Sequence, residues 1–278
     1  MNEITIIIIT YKSEKIIYDF IKKIPSTIKT IIIENSKNYE LKKNIEQNYN
    51  NISVYIKENN GVSSALNYAV GKIGTKYFLQ ISPDLEFNFR DLDIFLNFAK
   101  NKEPKFAALG PRFLEVNEKS HKQIDEKLDF GEINSIHGSC MFMNTYSFKN
   151  IGKFDENFFL YFEETEYCYR AKKKGYLSYQ INEVKVKTKG RTVDIQSENN
   201  KNFSNILIWH FIWSKYYFNK KRYGKFLSLI IFIPLLIRIL FRIIIYKTTK
   251  NNILLDKYLA RFDGLIKSMK GKKSNLRP

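Results

Sequence analysis

The sequence predicts an α/β protein, a mostly parallel central sheet with helices on both faces, followed by a helical C-terminal region. Three observations predict it. Short β-branched runs alternate with helix-like segments through the first hundred residues. Each of those runs ends on polar residues. The charge is also unevenly placed. Formal charge is +18, yet residues 201–278 hold 17 Lys and Arg against 2 Asp and Glu, a net of +15. Residues 1–200 hold 29 against 26, or +3. The expected division is therefore a nearly neutral body over 1–200, with halves meeting near residue 110, and a basic helical region over 201–278. A nucleic-acid binder would carry its basic patch on the folded body, so no nucleic-acid partner is expected.

The elements follow in order. Residues 4–9 are a continuous isoleucine-rich run, the mark of a strand buried on both faces. Ser13 is placed to cap a helix running to about Ile24, which Pro25 ends. Residues 28–33 repeat the buried-strand pattern until Glu34-Asn35-Ser36 breaks it. A polar helix near 41–47 precedes a strand at 52–56; Gly61 then opens a small-residue helix to about Ile73, and 77–81 form a fourth strand. Strands alternating with helices imply a parallel sheet. Ligands of such sheets bind beyond the carboxyl ends of the strands. The polar residues stand there: Thr10-Tyr11, Glu34-Asn35, Asn59-Asn60-Gly61 and Ser82-Pro83-Asp84.

Several classes fall away. No GxGxxG follows the first strand, and no GxxxxGK[ST] occurs, which disfavours dinucleotide and P-loop sites. Cys140 and Cys168 form no CxxC and have no His partner at metal spacing, so a reducing cytosolic compartment is expected. The opening Met1-Asn2-Glu3 lacks a basic n-region, and the apolar run behind it is too short for a signal peptide. Asp84, closing the fourth strand, has the chemistry to hold a divalent cation against a diphosphate.

A second informative stretch is G-K-F-D-E-N-F-F-L-Y-F-E-E-T-E-Y-C-Y-R at residues 152–170. Its aromatic run delivers Glu163, Glu164 and Glu166 to the start of a helix that Gly175 stops. Acids there are favoured by the helix dipole, which is one sufficient reading. The other is catalytic, because an aromatic surrounding raises a carboxylate's pKa toward the range of a general base.

With these motifs in order the chain resembles the family 2 glycosyltransferases of the GT-A fold, in particular the rhamnosyltransferase-like branch of bacterial surface polysaccharide synthesis. The resemblance covers roughly residues 3–192. It rests on the strand-TYK opening, on E-N-x-G-x-x-x-x-x-N at 58–67, on S-P-D at 82–84 and on the long 152–170 run; Gly110-Pro111-Arg112 and Gly138-Ser139-Cys140-Met141 fall where the family has such segments.

The resemblance implies an inverting transfer of a sugar from a nucleotide diphosphate donor (a dTDP- or UDP-sugar) to a hydroxyl of a glycan or lipid-linked glycan acceptor. Thr10, Tyr11, Glu34 and Asn35 would surround the nucleobase and ribose. Asn59, Gly61 and Asn67 would shape the donor wall. Asp84 is the acid of the metal motif, for Mg²⁺ or Mn²⁺. Glu164 would be the catalytic base, with Glu163 orienting the acceptor and Glu166 and Arg170 supporting the helix; His137 and Arg170 are counted with the acceptor side. Ser82 replaces the first acid of a full DxD. Glu34 and Glu164 each replace an Asp. The family's H-x-x-G-x-S reads K-T-K-G-R-T at 187–192, so Lys187 stands where a metal-binding His is usual and offers direct neutralisation of the diphosphate instead.

The tail has two readings. Residues 226–246 are long enough to span a bilayer but contain Pro234, Arg238 and Arg242. Arginines cost about 2.5–3.5 kcal/mol each at a span's centre. Arg238, Arg242, Tyr246 and Lys250 share one helical line, which favours an amphipathic helix lying on an anionic membrane surface. On that reading the enzyme works at the cytoplasmic face of the inner membrane. The alternative is a helical cap packed on the body. His121 and His210 suggest no ligand set, Trp209 and Trp213 read as packing residues, Cys168 as core and Lys172–Lys174 as a solvated face. A catalytically inactive scaffold and a basic nucleic-acid module are the rival functions; the first is opposed by Asp84 and Glu164, the second by the neutral body.

Overall fold

The computed structural model describes residues 3–102, 105–115, 122–188 and 200–277. The chain divides into two compact units, Met1–Asp155 with Glu164–Asp194, and Glu156–Glu163 with Ile195–Pro278.

In the first unit, β1 (Ile4–Thr10), β2 (Lys29–Glu34), β3 (Ile52–Ile56) and β4 (Tyr77–Ile81) alternate with α1 (Glu14–Ile21), α2 (Tyr39–Asn48) and α3 (Val62–Val70). These four strands are mutually parallel in the order β3-β2-β1-β4, as the alternation predicts. The second half adds β5 (Leu85–Glu86), α4 (Leu92–Lys102), β6 (Phe106–Phe113), β7 (Phe130–Glu132), β8 (Cys140–Asn144), α5 (Thr145–Ile151), α6 (Glu163–Lys173) and β9 (Leu177–Thr188). The sheet continues β4-β8-β6-β9-β5, with β7 beside β9, and here parallel and antiparallel pairs mix. The parallel block is thus confined to the first half.

Side chains alternate across the strands with a period of two, and this divides the core into two layers. Ile4, Ile6, Ile8 and Ile32 face α1, α2 and α4, where Phe20, Ile45 and Phe95 complete one cluster. Ile7, Ile31 and Ile33 face α3, α5 and α6, meeting Leu66, Phe148 and Tyr167. Continuous isoleucine runs are therefore what a sheet covered on both faces requires.

Local chemistry explains the helix ends, and it corrects one expectation. Ser13 holds the N-cap position of α1 but its side chain makes no capping bond to the helix; its hydroxyl donates to the Tyr11 carbonyl at 3.2 Å. The helix ends at Ile21 rather than Ile24, because Lys23 and Ile24 donate three residues back, to Phe20 and Ile21, in a tighter turn. Asn38 and Asn144 are true caps, accepting from Leu41 N–H and from Tyr146 and Ser147 N–H.

The second unit packs α7 (Asn200–Tyr223), α8 (Lys225–Thr248) and α9 (Asn252–Met269) around Ile212, Tyr216, Phe232, Ile239 and Leu265. Gly264 lets α9 approach α7 closely, since a Cβ there would lie 2.7 Å from the Trp209 carbonyl oxygen. The segment 156–163 joins this unit through rings: Phe158 meets Tyr217 and Phe159 stacks on His210 at 4.5 Å. α8 is long and apolar enough by length and composition to cross a membrane, and only 17% of its most apolar window is buried.

Candidate active site

The parallel register brings the carboxyl ends of β1 to β4 to one edge, with Thr10 opposite Glu34 and Glu34 opposite Ile56. Glu34 is fully buried there. It accepts from Thr10 Oγ1 at 2.5 Å and from Ser36 N–H at 2.5 Å, and the Ser36 hydroxyl also donates to it. Asn35 N–H donates to the Thr10 carbonyl at 2.9 Å. The Asn35 Oδ1 is a buried acceptor with no hydrogen-bond partner among the described residues. Such a group costs free energy unless a ligand satisfies it. Lys12 and Lys37 take left-handed backbone, φ 49° and 61°, in the loops after β1 and β2, and the Lys12 ammonium lies over the Tyr11 ring.

Asn59 and Gly61 form the turn into α3, where Gly61 N–H lies 3.4 Å from Asn59 Oδ1 and Gly61 has φ 96°. Asn67 serves a different purpose from the wall position expected of it. Its Nδ2 donates to the Phe154 carbonyl at 2.9 Å and its Oδ1 accepts from Phe154 N–H at 3.0 Å. The residue is a buried tie from the donor half to the loop of the 152–170 motif.

Three pieces meet around the chemistry. The Ser82-Pro83-Asp84 turn leaves β4, closed by Leu85 N–H to the Ser82 carbonyl, and Asp84 is half-buried in it. Ser82 N–H donates to Ser139 at 2.8 Å, which fixes that turn to the His137–Cys140 turn ahead of β8. His137 Nδ1 accepts from Ser139 N–H at 3.3 Å and lies 2.7 Å from Ser139 Oγ, and its ring packs on Phe113. Gly138, between them, faces Glu164: a Cβ at Gly138 would stand 3.6 Å from Glu164 Oε2.

Glu164 is half-buried at the first turn of α6. Burial raises its pKa, opposed by hydrogen bonds from backbone N–H groups and from the Thr165 hydroxyl. Thr165 Oγ1 donates to Glu164 Oε1 at 3.0 Å and lies 3.0 Å from Ser135 Oγ. Sequence reasoning did not single out Thr165 or Ser135, since an isolated hydroxyl carries no signal until its carboxylate neighbour is placed. Glu163 is buried. Arg170 pairs with buried Glu166 at 3.1 Å and donates to the carbonyls of Ile151, Gly152 and Lys153. Its guanidinium is therefore committed to the Gly152 loop, where Gly152 itself has φ 98°.

Lys187 is an exposed residue near the end of β9, paired with Glu115 at 2.7 Å. That bond and the Glu115 charge raise its pKa, so it is a cation engaged elsewhere. The rest of its motif, residues 189–192, and His121 lie outside the described residues. Among the described residues no group of three His, Cys, Asp or Glu could hold a metal ion. A single carboxylate suits Mg²⁺ or Mn²⁺ drawing its other ligands from phosphate and water, not a cage made by protein alone.

A sheet of this order, with polar strand ends at one edge and an acid closing β4, defines the GT-A class of fold. The chain belongs to the glycosyl transferase family 2, which matches residues 5–152. It is 25% identical over 196 residues to the low-salt glycan biosynthesis hexosyltransferase Agl10 of Haloferax volcanii, covering 63% of each chain; the chain thus spans just under two thirds of that relative's length. Among solved structures it is similar to the mannosyltransferase PcManGT from Pyrobaculum calidifontis in complex with GDP-Man and Mn²⁺ (TM-score 0.61, 13% identity, 98% of this chain and 88% of that one). It is also similar to residues 1–349 of S. aureus TarS in complex with UDP-GlcNAc (TM-score 0.57, 13% identity, 97% and 92%). GalNAc-T7 with UDP, GalNAc and Mn²⁺ shares the fold at TM-score 0.55 and 14% identity, over 79% of this chain and 50% of that one.

Proposed function

We propose that the chain is an inverting glycosyltransferase that moves a sugar from a nucleotide diphosphate donor, a dTDP- or UDP-sugar, to a hydroxyl of a lipid-linked glycan. The observation that carries the reading is the convergence of Glu164, the His137–Cys140 turn and the Asp84 turn. A base and a diphosphate anchor are thereby held within one cluster. Thr10, Tyr11 and Asn35 would receive the base and ribose, the unsatisfied Asn35 oxygen accepting from the ligand. Glu164 takes the proton of the acceptor hydroxyl as that oxygen attacks the anomeric carbon, and the nucleoside diphosphate leaves from the opposite face. A base so placed contributes about 10²–10⁴-fold. Asp84 would hold a divalent cation against the diphosphate, and such an ion stabilises the charge developing on the leaving group. The names of the relatives, which include glycan biosynthesis and complexes with GDP-Man and UDP-GlcNAc, support a sugar-nucleotide donor.

We place the work at the cytoplasmic face of the membrane, in the synthesis of cell-surface polysaccharide, on the basis of the exposed apolar length of α8 and the basic tail. The test is nucleoside diphosphate release from a panel of sugar nucleotides, combined with thermal shift. One or two donors are expected to shift the melting point and to release diphosphate slowly in the absence of acceptor. No shift and no release with any donor would overturn the reading.

A further inference from the structure

Within the helical unit, α7, α8 and α9 line an open pocket of about 470 Å³. Each helix places one cation in its wall: Lys215 from α7, Arg238 from α8 and Arg261 from α9. None of the three has a carboxylate partner among the described residues; Arg261 stacks over the Tyr258 ring, 4.7 Å from its centroid. The remaining wall is aliphatic and aromatic, including Leu235 and Tyr161. Three like charges thus line one apolar-walled pocket, and a multiply charged anion held there would be attracted by all of them. Along the outer side of α8, Phe226, Ile237, Phe241 and Ile244 stand well exposed, so an apolar track runs on the same helix that supplies Arg238.

We infer that this cavity binds the diphosphate of the lipid-linked acceptor, with the lipid chain lying along α8. The inference rests on the glycosyltransferase reading for the word acceptor, and on the cavity alone for the ligand chemistry. Three cations match a diphosphate, which carries two or more charges, better than a phospholipid phosphodiester, which carries one.

The experiment uses the full chain in neutral phosphatidylcholine nanodiscs, with farnesyl diphosphate as the probe. Farnesyl monophosphate, inorganic pyrophosphate and phosphatidylglycerol are the competitors. Farnesyl diphosphate is expected to bind at least about tenfold more tightly than each competitor, and each of Lys215→Gln, Arg238→Gln and Arg261→Gln to weaken it by about tenfold. The charge-keeping pair Arg238→Lys with Arg261→Lys should stay within about threefold of wild type, which separates lost charge from lost folding. Three results would each overturn the site: equal affinity for phosphatidylglycerol, equal affinity for pyrophosphate, or Gln variants that bind like wild type. Thermal shift with sugar nucleotides is run on the same samples. Farnesyl diphosphate binding without any donor shift would sink the transferase reading and leave the site standing.

Discussion

At the scale of single residues, Glu164 carries the most. Glu164→Gln should lower turnover by at least about 10²-fold with donor affinity little changed; near-normal turnover would move the role to Glu163. Burial raises the pKa of Glu164, so the folded protein prefers the neutral acid. The group's contribution to stability is then full below the ordinary glutamate range and is lost as pH rises through the raised value. Two outcomes follow from that sign. The acid limb of kcat/KM should lie above the usual carboxylate range, and Glu164→Gln should melt higher than wild type at neutral pH but not at pH 4. Asp84→Ala should weaken donor binding and abolish stimulation by Mg²⁺ or Mn²⁺, read by isothermal titration and by activity after metal removal. A wild type left fully active by EDTA would remove the cation from the mechanism. Lys187 would not then replace it without first leaving Glu115.

Elements show where the sequence stops being readable. β1, β2 and β4 announce themselves because each is a β-branched or aromatic run largely buried on both faces, and the edge strand β3 by its β-branched and aromatic residues. β5 has two residues and β7 three, too short for any periodicity, and β8 reads Cys-Met-Phe-Met-Asn, with no β-branched residue to mark it. The turn before α6 was equally silent. Tyr161 and Phe162 both take φ 69°, a region that costs bulky residues about 1–3 kcal/mol each, and aromatic identity gives no hint of it. Tertiary contacts hold the turn: Ser214 Oγ donates to the Leu160 carbonyl at 2.9 Å, and Phe211 packs on both rings. His210, which reads as a residue without ligand partners, is a pin. One ring nitrogen lies 2.9 Å from Ser274 Oγ and the other 2.8 Å from the Leu276 carbonyl. Burial, with the nearby Arg277 charge, lowers its pKa to about 4. An unfolded His takes its proton near pH 6.5, so the stability this group lends is lost as pH falls from there toward 4. The melting temperature should drop over that interval, and His210→Gln should flatten the slope.

Over the whole molecule, composition told more than periodicity. The contrast of +15 against +3 marks a helical region whose longest apolar helix is mostly uncovered. On the proposed reading the protein sediments with anionic vesicles and is partly released by salt, because surface attraction is screened within about 10 Å at 0.1 M. Ile237, Phe241 and Ile244 are among the most exposed apolar positions on α8, whereas Leu235 and Leu236 pack against the helical core. Changing those three exposed residues to Ser should therefore reduce the salt-resistant fraction and leave the melting temperature within a degree or two of wild type. Equal sedimentation with neutral vesicles would remove the electrostatic part of the proposal. What no reading of composition could supply is the Asn67–Phe154 tie, since a polar side chain on a small-residue helix looks the same whether it meets a ligand or a distant loop.

The place of β8 in the sheet has a consequence for synthesis of the chain. β8 lies between β4 and β6, with Ile81 opposite Cys140, so the neighbour on one side of β4 is translated about 60 residues after β4 itself. At an elongation rate of about 5–20 residues per second, β4 waits several seconds with one row of backbone N–H and C=O groups open and with Tyr77, Leu79 and Ile81 forming an apolar face on one side and Phe78 on the other. An unpaired edge of that composition is a template for pairing with other chains. The nascent protein is thus expected to need chaperone cover over this interval, and ribosome-released fragments ending at residue 115 should aggregate, whereas the full chain should not. Light scattering of the two translation products, made side by side without chaperones, checks it; a fragment 1–115 that stays monomeric would mean that the edge is protected before β8 arrives.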